Sequence, residues 1–406
     1  MQNKYFNYNY IFALFVIMFF FACNNKTSQN KISLNTDTIK NQLKTPFIID
    51  LEKKYIQRNL SFQDIAEVEY IPIETNEDIL IGSNMSFQLS KNYFICCNYN
   101  SGEFLFFDRK GYLLSKFSHK GGSGEEYQSV LGWVYDEHNK ELYINDFYAK
   151  KRILIYSSNG HFIRKLNIQE KINNLLNFDD STLIVRKRYL SDVEIAKTND
   201  IVENYFLLSK RDGGIVSYIR LPLSYKIPTI IVREDNIFYR PLRPNDIIDN
   251  GDQFILADVS SDTIYTLNKK NHIKPFIIRK PTIQKSKNTM VLLISKITNK
   301  YVFFAKYTLN YESDVPRLYN GYEFAIDMYN NEIFDPIMQN EDFPTNNTSI
   351  YCLSSIPTEK NYAAGLYEAN VLINALENDE LKGALKNVAS TLHEDDNPVL
   401  MILRFK

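Results

Sequence analysis

Groups able to do acid–base, nucleophilic or metal chemistry are few in this chain. Five histidines, His119, His138, His161, His272 and His393, are scattered over 406 residues. None belongs to a His-Glu-x-x-His pair, the spacing that sets two ligands on one zinc. No Gly-x-Ser-x-Gly elbow and no phosphate-cradling loop is present. The densest polar cluster is His119-Lys120-Gly121-Gly122-Ser123-Gly124-Glu125-Glu126-Tyr127. It sets an imidazole and an ammonium before two adjacent carboxylates, the groups that glycan-cleaving chemistry uses in pairs. A tyrosine able to anchor a partner follows. With Trp133, the single tryptophan, His119, Lys120, Glu125, Glu126 and Tyr127 are the candidate binding residues. No catalytic residue, metal ligand or cofactor is assigned.

Composition narrows the class. Lys+Arg is 47 and Asp+Glu is 48, a net charge of -1, so nothing argues for nucleic acid. The 28 tyrosines and 27 phenylalanines suit pleated, half-buried surfaces. Cys96 and Cys97 are adjacent in Tyr93-Phe94-Ile95-Cys96-Cys97, a strand pattern that points them to opposite faces. They read as two small buried hydrophobes, and no Cys-x-x-Cys spacing suggests a metal.

The elements that carry these groups repeat. Phe104-Leu105-Phe106-Phe107-Asp108-Arg109-Lys110-Gly111 leads into Tyr112-Leu113-Leu114-Ser115-Lys116-Phe117, and Ile153-Leu154-Ile155-Tyr156-Ser157-Ser158-Asn159-Gly160 leads into His161-Phe162-Ile163-Arg164. The two glycines are 49 positions apart, and each unit reads as strand, glycine turn, strand. Weaker copies run over residues 205–216, 263–273 (with Asn for Gly) and 322–334. Each follows another apolar strand pair. Four strands per roughly 50 residues is the period of a propeller blade. Two lone strands, Val68-Glu69-Tyr70-Ile71-Pro72-Ile73 and the terminal Pro398-Val399-Leu400-Met401-Ile402-Leu403-Arg404-Phe405, would pair to complete a sixth blade and hide the ring's edges. The expected fold is all-β: a six-bladed propeller with four-stranded antiparallel blades, over residues 45–406. Leu372, Leu376, Leu385, Val388 and Leu392 have helical spacing, so a helical insertion is expected near 368–392.

The N-terminus resembles a bacterial lipoprotein signal. An apolar run of 12 residues, Ile11 to Ala22, ends at Cys23, short for a bilayer span. The resemblance implies a signal peptide over 1–22, cleavage before Cys23 and lipidation of its sulfur, with residues 23–44 as a flexible polar tether. The cysteines left would be Cys96, Cys97 and Cys352, too few for a complete disulfide framework. The alternative is an uncleaved anchor. Some bacterial lipoproteins bound for the cell surface resemble one another in an acidic cluster after the cysteine. Asn24-Asn25-Lys26-Thr27-Ser28 has none, so the periplasmic leaflet of the outer membrane is expected, the cell surface being the alternative.

From about residue 60 onward the chain resembles the six-bladed β-propeller lipoproteins of Bacteroidota, of NHL/TolB-like type. The resemblance rests on Asp64-Ile65-Ala66-Glu67-Val68-Glu69-Tyr70-Ile71-Pro72-Ile73-Glu74-Thr75, on the Phe107-to-Gly111 hairpin, on Lys120-Gly121-Gly122-Ser123-Gly124-Glu125-Glu126-Tyr127, and on Asp395-Asp396-Asn397-Pro398-Val399-Leu400. The 120–127 loop lacks the family's usual proline. The resemblance implies architecture and compartment, with no assigned activity.

Strand order places the candidate residues. The b–c loops and the d-to-a connections of such blades open on one face. The 120–127 loop, insertions near 187–203 and 310–319, and the helical segment all belong there, and repeat proteins tend to bind through the face bearing their insertions. Trp133, in an inner-strand candidate, would either stack on a sugar near the channel mouth or pack in the core. Asn98, Asp146 and Asp258 recur just after strand b, as metal ligands or as side chains closing the turn. The functional expectation is a membrane-tethered binding or scaffold module for a glycan, peptide or envelope protein. The alternative is a glycan- or peptide-processing lyase or hydrolase on the same face.

Overall fold

Each glycine-turn hairpin is the outer half of a β-sheet. The computed structural model describes residues 46–77, 79, 81–82, 85–148, 151–188, 201–223, 227, 231–232, 238–239, 246–286, 289–310, 317–345 and 361–406. Cys23, Cys352, the signal segment and the tether lie outside the described residues. Blade I runs through Met85–Leu89, Tyr93–Asn98, Glu103–Asp108 and Leu113–Ser118. Blade II runs through Val130–Asp136, Glu141–Asp146, Arg152–Ser157 and Phe162–Asn167. Blade III comprises Ile172–Asn177, Thr182–Lys187, Ile201–Ser209 and Ile215–Pro222, and blade IV comprises Ile247–Asp249, Gln253–Leu256, Thr263–Asn268 and Ile273–Lys280. Blade V spans Thr289–Ile297, Tyr301–Asn310, Arg317–Asp327 and Glu332–Gln339. The fold is an all-β, six-bladed propeller of four-stranded antiparallel blades.

Central strands read as unbroken apolar runs because both their faces are covered by neighbouring blades. Cys96 shows this: it joins the core between blades VI and I, whereas Cys97 joins the core between blades I and II. Burial pushes both thiols up. The repeating turn glycine has two causes. Gly111 and Gly160 sit at φ 90° and 80°, and each abuts the preceding blade. A Cβ on Gly111 would lie 2.2 Å from Pro72 O, and one on Gly160 would lie 2.5 Å from the Phe117 ring. Asn271 takes the corresponding role in blade IV at φ 61°.

The ring closes through the N-terminal segment. Strand β3 (Ala66–Pro72) pairs antiparallel with Val399–Phe405, which pairs with Tyr362–Tyr367, and these are the strands of blade VI among the described residues. Asn397, buried just before the closing strand, locks the joint. Its side chain accepts from Ile81 N at 2.9 Å and donates to Glu74 O and Ile79 O at 2.8 and 3.1 Å. Two further strands precede β3. Strand β1 (Phe47–Asp50) adds parallel to the outer strand of blade IV, and β2 (Gln57–Ser61) adds parallel to that of blade V. The segment is thus a belt over the outer edges of three consecutive blades. Sequence patterning assigns these residues no such role.

The C-terminal insertion is helical as expected. Helices α1 (Ala369–Glu377) and α2 (Gly383–Ala389) lie between strands b and c of blade VI and bury Leu372, Ala375, Leu385 and Ala389 in its core. Of the insertion expected at 310–319, residues 317–319 continue the ladder, with Leu309 paired to Leu318 and Asn310 to Arg317, and 311–316 lie outside the described residues. The 187–203 insertion lies largely outside the described residues. Among the described residues no helix is long and apolar enough to cross a membrane.

Candidate functional site

The 120–127 loop connects the outer strand of blade I to the inner strand of blade II, on the face that carries the b–c loops. Its backbone closes on itself through Gly121 N to Tyr127 O at 2.9 Å and Tyr127 N to His119 O at 3.1 Å. Blade II clamps it from outside. Arg152 donates to Gly124 O and Glu126 O, both at 2.8 Å, and Tyr156 Oη donates to Glu125 O. The proline missing from this turn is therefore offset by side-chain bonds to its carbonyls.

The six sequence-derived residues separate into three environments. Glu125 is exposed at the tip of the turn. Glu126 instead caps the loop, accepting from Ser123 N at 2.8 Å, and that bond holds its carboxyl below the usual range. Lys120 is exposed, and its Nζ donates to Asn100 O at 2.5 Å.

The other three turn inward, which departs from expectation for Tyr127 and His119 and is one of the two placements expected for Trp133. Tyr127 is fully buried, and burial pushes its hydroxyl up to about 12. Its side chain packs edge-on against Phe104 and Tyr156, so it cannot meet a partner. His119 is half-buried, with its ring stacked on Tyr156 and Nε2 2.6 Å from Gly160 O. Among the described residues it shares no hydrogen bond with either loop glutamate. Trp133 lies in the inner strand but faces the core. Its indole N–H donates to Ser86 Oγ at 2.7 Å and its ring meets Phe104 at right angles. A channel-mouth platform is excluded by this packing; the tryptophan joins blade I to blade II instead.

What lies open beside the loop is a shallow depression of about 450 Å³, lined by Lys120, Gly121, Gln128 and Tyr148. Tyr148 is 55% exposed. Tyr148 and Gln128 escape sequence reasoning because neither stands in a motif. The available signal was positional: Tyr148 follows Asp146 at the end of strand b, on the insertion-bearing face. Asp146 accepts from Gln128 N, Ser129 N and Tyr148 N at 3.0, 3.2 and 3.1 Å, so one carboxylate sets both lining residues in place. Asn98 and Asp258 likewise accept turn amides, from Asn100 N and Ser260 N. These recurrent Asx residues organise turns, and Asp258 in addition joins blade IV to blade III, pairing with Arg186 at 3.1 Å and accepting from Asn204 Nδ2 at 2.9 Å. Among the described residues no three His, Cys, Asp or Glu side chains are grouped to hold a metal.

The fold has close counterparts in outline. One solved structure, a protein of Bacteroides fragilis described as exported, is 14% identical with a TM-score of 0.60, covering 89% of this chain and 100% of its own. Another, a member of the DUF4221 family from Bacteroides vulgatus, is 11% identical with a TM-score of 0.41, covering 84% of this chain and 97% of its own. A comparison with curated proteins gives no match. Residues 46–404, from the belt to the closing strand, match the family described as "Domain of unknown function (DUF4934)", and the chain belongs to that family.

Proposed function

We propose that the chain is a non-catalytic binding module of the cell envelope that takes a glycan on its loop-bearing face. The observation that carries this reading is the depression beside the clamped loop. An exposed tyrosine ring there adjoins the Gln128 amide and the Lys120 ammonium. A sugar offers an apolar ring face to an aromatic and hydroxyls to amide and ammonium groups. The loop is held by Arg152 and Tyr156 before any ligand arrives, which lowers the ordering cost of binding. Acid–base catalysis at this loop has less support, since its imidazole is committed to Gly160 O.

Tethering belongs to the same reading. The apolar run ending at Cys23 supports lipidation and placement at the outer membrane, on the periplasmic leaflet. The test is a glycan array probed with the purified protein, followed by calorimetry on the glycans retained. Tyr148→Ala should weaken binding at least about tenfold with an unchanged melting curve. An array on which nothing is retained, or retention indifferent to Tyr148 and Gln128, overturns the glycan reading.

A further inference from the structure

The opposite face of the ring, which bears the a–b turns, holds a second cleft. It lies at the closure seam between blades VI and I, has a volume of about 280 Å³, and is lined by Glu69, Leu89, Ser90, Lys91, Arg109 and Tyr362. Its walls come from distant parts of the chain. Glu69 belongs to β3, Tyr362 begins a blade VI strand, Ser90 and Lys91 form the first turn of blade I, and Arg109 stands in that blade's outer hairpin turn. The cleft therefore exists only in the closed ring.

Its charges are arranged unusually. Glu69 lines the same cleft as Lys91 and Arg109, yet among the described residues no ion pair joins it to either. Arg109 is half-buried and, among the described residues, is held by one hydrogen bond, Nη1 to Ser90 O at 2.8 Å. A guanidinium has five N–H donors, so most of this one stays available to an acceptor. The turn bearing Lys91 is fixed too. Glu137 of blade II accepts from Lys91 N and Asn92 N at 3.0 and 3.1 Å, and among the described residues no hydrogen bond or ion pair holds the Lys91 ammonium. Leu89 and Tyr362 join the apolar core between the two blades and give the cleft a hydrophobic floor.

We propose that this cleft binds a small zwitterion, an amino acid or dipeptide, with its carboxylate on Arg109 and Lys91 and its ammonium on Glu69. Opposite charges that line one cavity without neutralising each other match a ligand carrying both signs. Charge-assisted bonds from a guanidinium to a carboxylate are among the stronger polar contacts available. The cleft lies at the small end of ligand pockets, which start near about 300 Å³, and so suits a ligand of one or two residues. The proposal is independent of the glycan site on the other face.

The experiment is calorimetry and ligand-observed NMR on the purified full-length protein. The probes are free amino acids, dialanine, N-acetyl-dialanine and dialanine amide. The free forms should bind, and acetylation or amidation should each weaken binding at least about tenfold. The variants should cross over: Glu69→Gln should abolish discrimination against the acetylated form, and Arg109→Gln discrimination against the amide. Should Arg109→Gln fail to fold, Lys91→Gln carries the same test from an exposed position. No binding by any free amino acid or by dialanine at millimolar concentration overturns the proposal. So does equal binding of the free and blocked forms.

Discussion

Tyr127 Oη donates to Gly102 O at 2.5 Å, joining the loop after blade I to the b–c turn within it. The same oxygen accepts from His119 N at 3.0 Å. The contact is close on both sides: a Cβ on Gly102 would lie 2.8 Å from the Tyr127 ring.

Tyr127→Phe should cost about 1–3 kcal/mol, because it leaves the Gly102 carbonyl and the His119 amide without their partner. Tyr127→Ala should cost about 3–5 kcal/mol by opening a cavity in a core shared with Phe104 and Tyr156. Urea melts measure both. A neutral Tyr127→Ala would mean the loop is not part of the blade I–blade II core.

Arg152→Met should free the loop without unfolding the ring. Its guanidinium holds two loop carbonyls from blade II. The Glu126 and Tyr127 amides should exchange hydrogen faster, with a smaller loss of stability than Tyr127→Ala produces. Unaltered exchange would show that the loop's own backbone bonds suffice.

The Asp136–Lys210 pair sets an acid-sensitive contribution. Both groups are buried, with Lys210 Nζ 2.5 Å from Asp136 Oδ2. Burial alone would raise the Asp136 pKa, but Lys210 and Asn139 outweigh it and hold the carboxyl below its usual value. The folded state therefore binds fewer protons than the unfolded chain. The stabilisation is complete above the unfolded value of about 4 and is lost as pH falls through the lower folded value. Denaturant midpoints taken from about pH 6 to 2.5 should fall less steeply in Asp136→Asn than in the parent. Lys210→Met at neutral pH should cost about 3–5 kcal/mol by leaving a buried carboxylate unpaired.

Asn397→Ala should weaken the ring at its closure by about 1–3 kcal/mol or more, since the Ile81 amide and the Glu74 and Ile79 carbonyls lose their partner together. Differential scanning calorimetry reads this directly. An unchanged midpoint would place the closure energy in the β3 ladder alone.

Cys23→Ala should leave the precursor unprocessed or release it to soluble fractions. Full-length protein still firmly membrane-bound would identify an uncleaved anchor instead. Protease added to intact cells separates the leaflets: survival of the propeller agrees with a periplasmic position, and its rapid digestion places it at the surface.

The blades were legible in the sequence because their hairpins repeat a local rule: an apolar strand, a residue tolerant of positive φ, and another strand. The closing pair was legible by elimination, as two strands lacked neighbours. The belt was not, because β1 and β2 add to sheets already complete. Phe47-Ile48-Ile49-Asp50 and Gln57-Arg58-Asn59-Leu60-Ser61 are too short to show which edge they join. At the candidate site, the loop was found through its glycines and charges, but the burial of Tyr127 and His119 was not, and Trp133 was left between core and channel mouth. Local sequence does not reveal which neighbour a side chain will meet. Here Tyr156, some 30 residues further on, covers two of the three.

The belt also decides how the molecule bears force. A pull at the N-terminal side reaches β1 first, then β2, and only then β3. The outer two strands are 4 and 5 residues long, and each lies against a blade that is complete without it. Stripping them would spend mechanical work without opening the ring. The strand whose loss would open it stands third in line, so the N-terminal segment acts as a strain relief between a tugged chain end and the circle it closes.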